Sequence, residues 1–225
     1  MSEGKRPPST VRDLPVVPHR NDDIVRLELP EPIERLDLAR LFGNTRDVEL
    51  EVGVGKGRFL LLAASARPEV NFLGVEYAHR YYLRALDRLS KRGFQNVRLA
   101  YANVVPLLEN GLADASLAAC HVYFPDPWPK KRHNKRRFFR ADVLDQVART
   151  LRAGGLLRAA TDHPEYAAII RETVGAHAAF EDAGPDRALW ELPGMGDYTT
   201  LGVTNFEIKY RREGRPIHRF AWYRR

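Results

Sequence analysis

The sequence predicts an open α/β domain built on a mostly parallel sheet with helices on both faces. Three observations predict it. Short, continuous apolar runs of the kind found in strands buried on both faces alternate with stretches of helical periodicity. Glycine or proline punctuates most of the junctions between them. Near the C-terminus, two aromatic-rich runs flank the turn Arg212-Glu213-Gly214-Arg215, which adds an antiparallel hairpin.

Taken in order, residues 1 to about 22 are rich in proline and charge, and the first 44 residues are expected to form a partly flexible N-terminal extension. The domain proper is expected to span 45–225. Its first strand runs from Asp47 to Val52. A helix follows over Gly57–Arg67, closed by Pro68. The second strand is Asn71–Glu76. The next helix spans Ala78–Lys91, with Leu83, Leu86 and Leu89 among its apolar residues and Gly93 just past its end. Val97–Tyr101 and Leu117–Phe124 are the third and fourth strands. Phe138–Leu151 is helical, with Val143, Leu144, Val147 and Leu151 on one face, and Gly154-Gly155 ends it. Leu156–Thr161 is the fifth strand and Pro164–His177 a helix. Phe206–Tyr210 and Phe220–Tyr223 complete seven strands. Strand–helix alternation implies βαβ units and hence a parallel sheet.

Composition narrows the function classes. Hydrophobic residues make up 44% of the chain, which suits a globular core and argues against disorder. The single cysteine, Cys120, excludes an intrachain disulfide and a thiolate metal cluster; in its apolar run it reads as a small buried hydrophobe. The histidines show no metal-ligand spacing, so no metal is expected. Neither a signal peptide nor a membrane-spanning run is visible, so a cytoplasmic protein is expected. The net charge of +7 is compatible with a polyanionic partner such as nucleic acid.

The first strand ends in Glu51-Val52-Gly53-Val54-Gly55-Lys56-Gly57, where ligands bind in sheets of this kind. A second acid, Glu76, ends the next strand, placed to accept hydrogen bonds from both hydroxyls of a ribose. A dinucleotide would call for G-x-G-x-x-G/A, but the sixth position from Gly53 is Arg58 and the third glycine comes one residue early. The acid-x-Gly-x-Gly-x-Gly form resembles motif I of class I methyltransferases, which bind S-adenosylmethionine on a Rossmann-like fold. That resemblance implies Glu51, Gly53 and Gly55 near the methionine end, Glu76 on the ribose and Asn103 against the adenine. Many members carry Asp at the last position.

The fourth strand runs into Pro125-Asp126-Pro127-Trp128-Pro129-Lys130, followed by Lys131-Arg132-His133-Asn134-Lys135-Arg136-Arg137. This run resembles the signature of bacterial tRNA (guanine-N7)-methyltransferases. The likeness continues at Ala160-Thr161-Asp162 and at Thr204-Asn205-Phe206-Glu207, and covers roughly residues 45 to 225. It implies methyl transfer from S-adenosylmethionine to N7 of guanine 46 in the tRNA variable loop, by a monomer or a homodimer. Asp126 is then the catalytic residue and also touches the cofactor. Lys130, Asp162, Thr204, Asn205, Phe206 and Glu207 bind substrate, and Arg132, His133, Asn134, Lys135, Arg136 and Arg137 contact RNA.

The chemistry agrees. Guanine N7 is already a nucleophile, so no proton need be removed. A carboxylate held between two prolines either stabilises the charge that passes to the imidazole ring or orients guanine through its N1–H and N2–H₂ groups. Six Lys or Arg residues within 130–137 suit RNA phosphates, and Trp128 suits base stacking; a solvated loop is the plainer reading of such a run. Phe138 and Phe139 read as helix packing. Asp162 has a second reading as the N-cap of the next helix, and Thr204, Asn205 and Glu207 as polar residues at a strand edge. Other readings are a methyltransferase for another RNA base or for protein, or a non-catalytic RNA-binding partner on the same fold.

Overall fold

The structure, a computed structural model, describes residues 16–185 and 203–225. The first 15 residues of the expected N-terminal arm lie outside the described residues. From Val16 onward the chain packs on the domain. The backbone N–H of Val17 donates to Lys91 and that of Asn21 to Ser90. Helix α1 (Asp22–Val25) buries Val25 completely, and the two-residue strand β1 (Arg26–Leu27) pairs in parallel with a later strand at Leu99 and Ala100. Helix α2 (Leu38–Phe42) starts on the Asp37 side chain, which accepts from the Arg40 N–H, and stops at Gly43 in the left-handed region.

The central strands follow the predicted order: β2 (Val48–Val52), β3 (Asn71–Glu76), β4 (Val97–Tyr101), β5 (Leu117–Tyr123) and β6 (Leu151–Thr161). Helix α3 (Arg58–Ala66) links β2 to β3, and α4 (His79–Ser90) links β3 to β4. A short turn α5 (Val104–Pro106) precedes β5, and α6 (Ala141–Thr150) precedes β6. Helix α7 (Pro164–Gly175), strand β7 (Phe180–Asp182), helix α8 (Asn205–Arg212) and strand β8 (His218–Arg224) complete the described chain. The sheet order is β1-β4-β3-β2-β5-β6-β8-β7, with β8 antiparallel to both its neighbours. The direction of strand progression reverses between β2 and β5, which is where an open α/β sheet opens its ligand crevice.

Alternation along the strands divides the core. Phe72 faces α3 and α4 with Leu60, Leu86 and Leu89, while Leu73 and Val75 face α6 and α7 with Val143, Val147, Ile170 and Val174. Each fully buried Leu in these layers contributes roughly 1.5–3 kcal/mol. In α4 the buried apolar positions are Tyr82, Ala85, Leu86 and Leu89, a stripe at i, i+3, i+4 and i+7. Cys120 is fully buried, as expected.

Four local expectations are corrected. Among the described residues the sheet has eight strands, because β1 and β7 are added at its two edges while residues 206–210 drop out. Residues 206–210 are helical within α8, so the antiparallel pair at the sheet's end is β7 with β8. Helix α6 begins at Ala141 and ends at Thr150, and the chain is already in β6 by Leu151, passing Gly154 at φ 72° where the pairing with β5 is irregular. Lastly, His163 and not Asp162 is the N-cap of α7: its ring accepts from the Tyr166 N–H at 3.4 Å, with Pro164 in the first turn.

Candidate active site

The β2–α3 loop is held at the carboxyl end of the sheet by hydrogen bonds to β3. The Gly53 N–H donates to the Val75 carbonyl at 2.8 Å. Gly53, Gly55 and Gly57 all lie at positive φ (74°, 57° and 73°), which side chains resist. Gly57 also lets α4 approach: a Cβ there would sit 3.2 Å from that of Ala85.

Glu76 anchors the same loop. One carboxylate oxygen accepts from the Gly55 N–H and the other from the Ala78 N–H, each at 2.7 Å. Each oxygen retains a second lone pair for a ligand. Asn103 caps α5, its side chain accepting from the Val105 N–H at 3.1 Å, and it is otherwise exposed.

Beside the loop lies a cleft of about 250 Å³, walled by Glu51, Gly53, Gly55, Thr204, Asn205 and Phe206 among others. Segments some 150 residues apart thus meet on one ligand-sized surface. The Phe206 ring covers the loop: a Cβ at Gly55 would lie 3.9 Å from it. Glu51 is 3% exposed, and its Oε2 has no hydrogen-bond partner among the described residues. Burial, with the nearby Glu76 charge, raises its carboxyl well above the ordinary range. A buried carboxyl with an unpartnered oxygen in a cleft suits a cationic ligand group, whose charge would favour the carboxylate.

The signature loop leaves β5 directly beside this cleft. Phe124 and Trp128 take positive φ (52° and 43°) on either side of Asp126, a strained bend in the backbone. The Phe124 ring packs on Phe206 and Tyr210, at centroid distances of 6.1 and 5.5 Å, so the loop is clasped to α8. Asp126 is exposed. Arg137 holds the loop's far side, donating to the carbonyls of Pro127 (2.8 Å) and Trp128 (3.0 Å). The guanidinium of Arg136 lies 5.0 Å from the Trp128 ring centroid and His133 meets that ring edge-on at 5.5 Å. Lys130, Arg132, Asn134, Lys135 and Arg136 are exposed, on and just before a 3₁₀ turn over Lys131–Arg136. Phe139 is buried and Phe138 packs against the core, as expected.

The remaining predicted residues have defined partners. Asp162 accepts from Arg215 at 2.9 Å, and Arg215 lies over the Tyr210 ring at 4.7 Å. Thr204 caps α8: its hydroxyl accepts from the Glu207 N–H at 3.0 Å while Glu207 accepts from the Val203 N–H at 2.9 Å. This helix cap, with Glu207 reaching back to the residue before it, and not a strand edge, accounts for Thr204 and Glu207 locally. Glu207 is 4% exposed and turned inward, where it also binds Arg211 (2.7 Å) and Arg219. So Thr204, Asn205 and Phe206 reach the cleft, and Glu207 braces the helix that carries them.

The cleft also has walls not anticipated from sequence: Arg58, Tyr81, Tyr123 and Lys209. Arg58 follows the glycine motif immediately, so its position could have nominated it. Tyr123 ends an apolar strand, where only the pairing of β2 with β5 shows which way it faces.

Glycine loop, acid at the end of the next strand and Asp126 loop at the switch point of this sheet define a class I methyltransferase, dependent on S-adenosylmethionine. A family model described as "Putative methyltransferase" matches residues 45–220. A tRNA (guanine-N(7)-)-methyltransferase of Nitrosococcus oceani is 34% identical over 182 residues, covering 81% of this chain and 73% of the relative. Those of Cutibacterium acnes and Rhodopirellula baltica are 37% and 36% identical, covering 86% and 88% of this chain and 68% and 74% of theirs. The chain belongs to the tRNA (guanine-N7)-methyltransferase family.

Proposed function

We infer that this protein transfers the methyl group of S-adenosylmethionine to N7 of a guanine in tRNA, at position 46 of the variable loop. The observation that carries the reading is convergence. The glycine loop, the Asp126 loop and the Thr204–Phe206 segment are remote in sequence, yet all three meet at the carboxyl ends of β2 and β5.

When bound, S-adenosylmethionine supplies an electrophilic methyl on a positively charged sulfur. Residues of the cleft and of the strand ends beside it fit that donor. Glu51 offers an unsatisfied buried acceptor to its ammonium group, and Glu76 offers lone pairs to the ribose. Asn103 lies at the end of β4, toward the adenine. Arg58 is a buried cation positioned for the donor's carboxylate. Asp126 stands at the exposed rim, where a base enters. There it acts by charge and position, stabilising positive charge on the guanine ring or accepting from N1–H and N2–H₂. Lys130, Arg132, Lys135 and Arg136 present charge to phosphates, with His133 and Asn134 among them. Arg137 acts on the loop itself, and Asp162 and Glu207 hold the α8 side of the cleft. On this reading the protein works in the cytoplasm, as a monomer or homodimer, with no metal. No helix among the described residues is long and apolar enough to cross a membrane.

The test is incubation with labelled S-adenosylmethionine and bulk tRNA, followed by nucleoside analysis and strand scission at 7-methylguanosine. Label in 7-methylguanosine at position 46 is expected. Label in another nucleoside, or none in RNA, overturns the reading.

A further inference from the structure

Glu49 and Glu51 are two residues apart on β2, and His121 and Tyr123 two apart on β5, so each pair leaves one face of the sheet. Register places His121 beside Glu51. Beneath α3 these side chains form a buried polar line: His121 is fully buried, Glu49 7% exposed and Tyr123 9%. The Phe59 ring covers both His121 and Tyr123, at 4.9 and 5.2 Å. Polar groups in such a place are costly unless their bonding is complete.

The bonding has a direction. Arg67 donates to both oxygens of Glu49, at 2.7 Å each. Glu49 Oε2 lies 2.9 Å from His121 Nε2, and His121 Nδ1 lies 3.1 Å from the Tyr123 hydroxyl. Paired with an arginine that never loses its charge, Glu49 is a carboxylate and only accepts. Nε2 is therefore the donor. Burial lowers the imidazole to about 4, against the pull of Glu49, so it is neutral and Nδ1 carries a lone pair. The Tyr123 hydroxyl must then donate to Nδ1. Its proton is committed inward, and its oxygen acts only as an acceptor toward anything else.

Tyr123 shares the cleft wall with Glu51. From the register it lies two strand positions, roughly 6.6 Å, beyond Glu51 toward the carboxyl end. It also precedes Asp126 by three residues. It therefore stands between the acid at the ammonium end and the loop at which the base arrives. That interval is where a reactive sulfonium must lie.

We propose that Tyr123 contacts the methyl donor, its hydroxyl oxygen receiving the polarised C–H groups beside the sulfonium, with His121 and Glu49 as positioning residues that hold the hydroxyl in its accepting orientation. The proposal rests on the donor reading above and adds a new residue to that site. It makes the cleft sensitive to the sulfur's charge: S-adenosylmethionine has polarised methyl hydrogens, and S-adenosylhomocysteine has neither the methyl nor the charge.

Calorimetric binding of both ligands tests it. Tyr123→Phe keeps the ring and removes the acceptor. It should weaken S-adenosylmethionine about two- to fivefold more than S-adenosylhomocysteine, the size of a weak C–H···O contact. Glu49→Gln lets Nε2 accept and Nδ1 donate, reversing the hydroxyl. It should shift the same ratio in the same direction, and should shift it no further in the Tyr123→Phe background. Equal weakening of both ligands by Tyr123→Phe, or no weakening, overturns the proposal. Should Glu49→Gln not fold, the near-isosteric Tyr123→Phe comparison still decides. Wild-type protein that binds neither ligand would overturn the donor reading itself, a result distinct from an unchanged ratio.

Discussion

Glu76 is the sharpest place to test how the cofactor loop is organised. Its two oxygens each take one backbone N–H, from Gly55 and Ala78, at 2.7 Å. Glu76→Gln preserves shape but leaves one acceptor and one amino group. Whichever way the amide turns, one backbone N–H faces another donor. Hydrogen bonds to charged groups are worth roughly 1.5–3 kcal/mol, so losing one frees either the glycine loop or the start of α4. Ligand binding must then restore that order and also make a weaker ribose contact. The same range corresponds to about 10- to 150-fold in affinity for S-adenosylmethionine. Calorimetry reads the dissociation constant, and a thermal melt in parallel reads the fold. A constant within twofold of wild type would refute the reasoning. If the melting temperature fell at the same time, Glu76 would be a structural staple with no share in binding.

Three further outcomes are expected. Replacing Lys130, Lys135 and Arg136 together with alanine should weaken tRNA binding and lower the slope of log K against log salt by about 0.7–0.9 per lost phosphate contact; titrations with an unaltered slope would make the run a solvated surface. Asp126→Asn should slow single-turnover methyl transfer by about 10²–10³ with folding intact, and the wild-type rate should be flat from about pH 6 upward because N7 has no proton to give; a rate that tracks a group titrating near neutral pH, with that dependence lost in the variant, would indicate proton transfer instead. His121→Gln should remove a pH term from stability. The folded ring titrates near 4 and the unfolded one near 6.5, so in that window unfolding takes up a proton. Stability is then present above pH 6.5 and lost as pH falls toward 4. The wild-type advantage over the variant should shrink by about 2 kcal/mol between pH 7 and pH 5 in urea titrations, and a constant gap would show that His121 does not titrate in this way.

The basic run shows how one sequence feature divides in three dimensions. By sequence, Arg132 through Arg137 form a single charged stretch. In the structure Arg136 lies on Trp128 and remains exposed, whereas Arg137 turns back to bind the carbonyls of Pro127 and Trp128. Arg137→Ala is therefore a loop variant, and its effect belongs with that of Asp126.

What the sequence by itself determined was the parallel core and the glycine loop at its carboxyl end. Strands buried on both faces read as continuous apolar runs, and loops that need positive φ require glycine, so β2 to β6 and the glycine loop are written in local residue type. The acids Glu51 and Glu76 at two consecutive strand ends follow from the same reading. At residues 206–210 the local signal was ambiguous. Phe206, Ile208 and Tyr210 alternate with Glu207 and Lys209 at a strand's period. Yet Thr204-Asn205-Phe206-Glu207 also has the capping-box pattern, and the Thr204 hydroxyl on the Glu207 N–H, with Glu207 reaching back to the Val203 N–H, starts a helix there. Only the tertiary structure decided the rest. Glu49 and His121 are 72 residues apart and become partners because β2 and β5 pair in one particular register. Thr204 to Phe206 reach the glycine loop because α8 closes over it. Such contacts depend on long-range pairing and packing, which no local pattern of residues encodes.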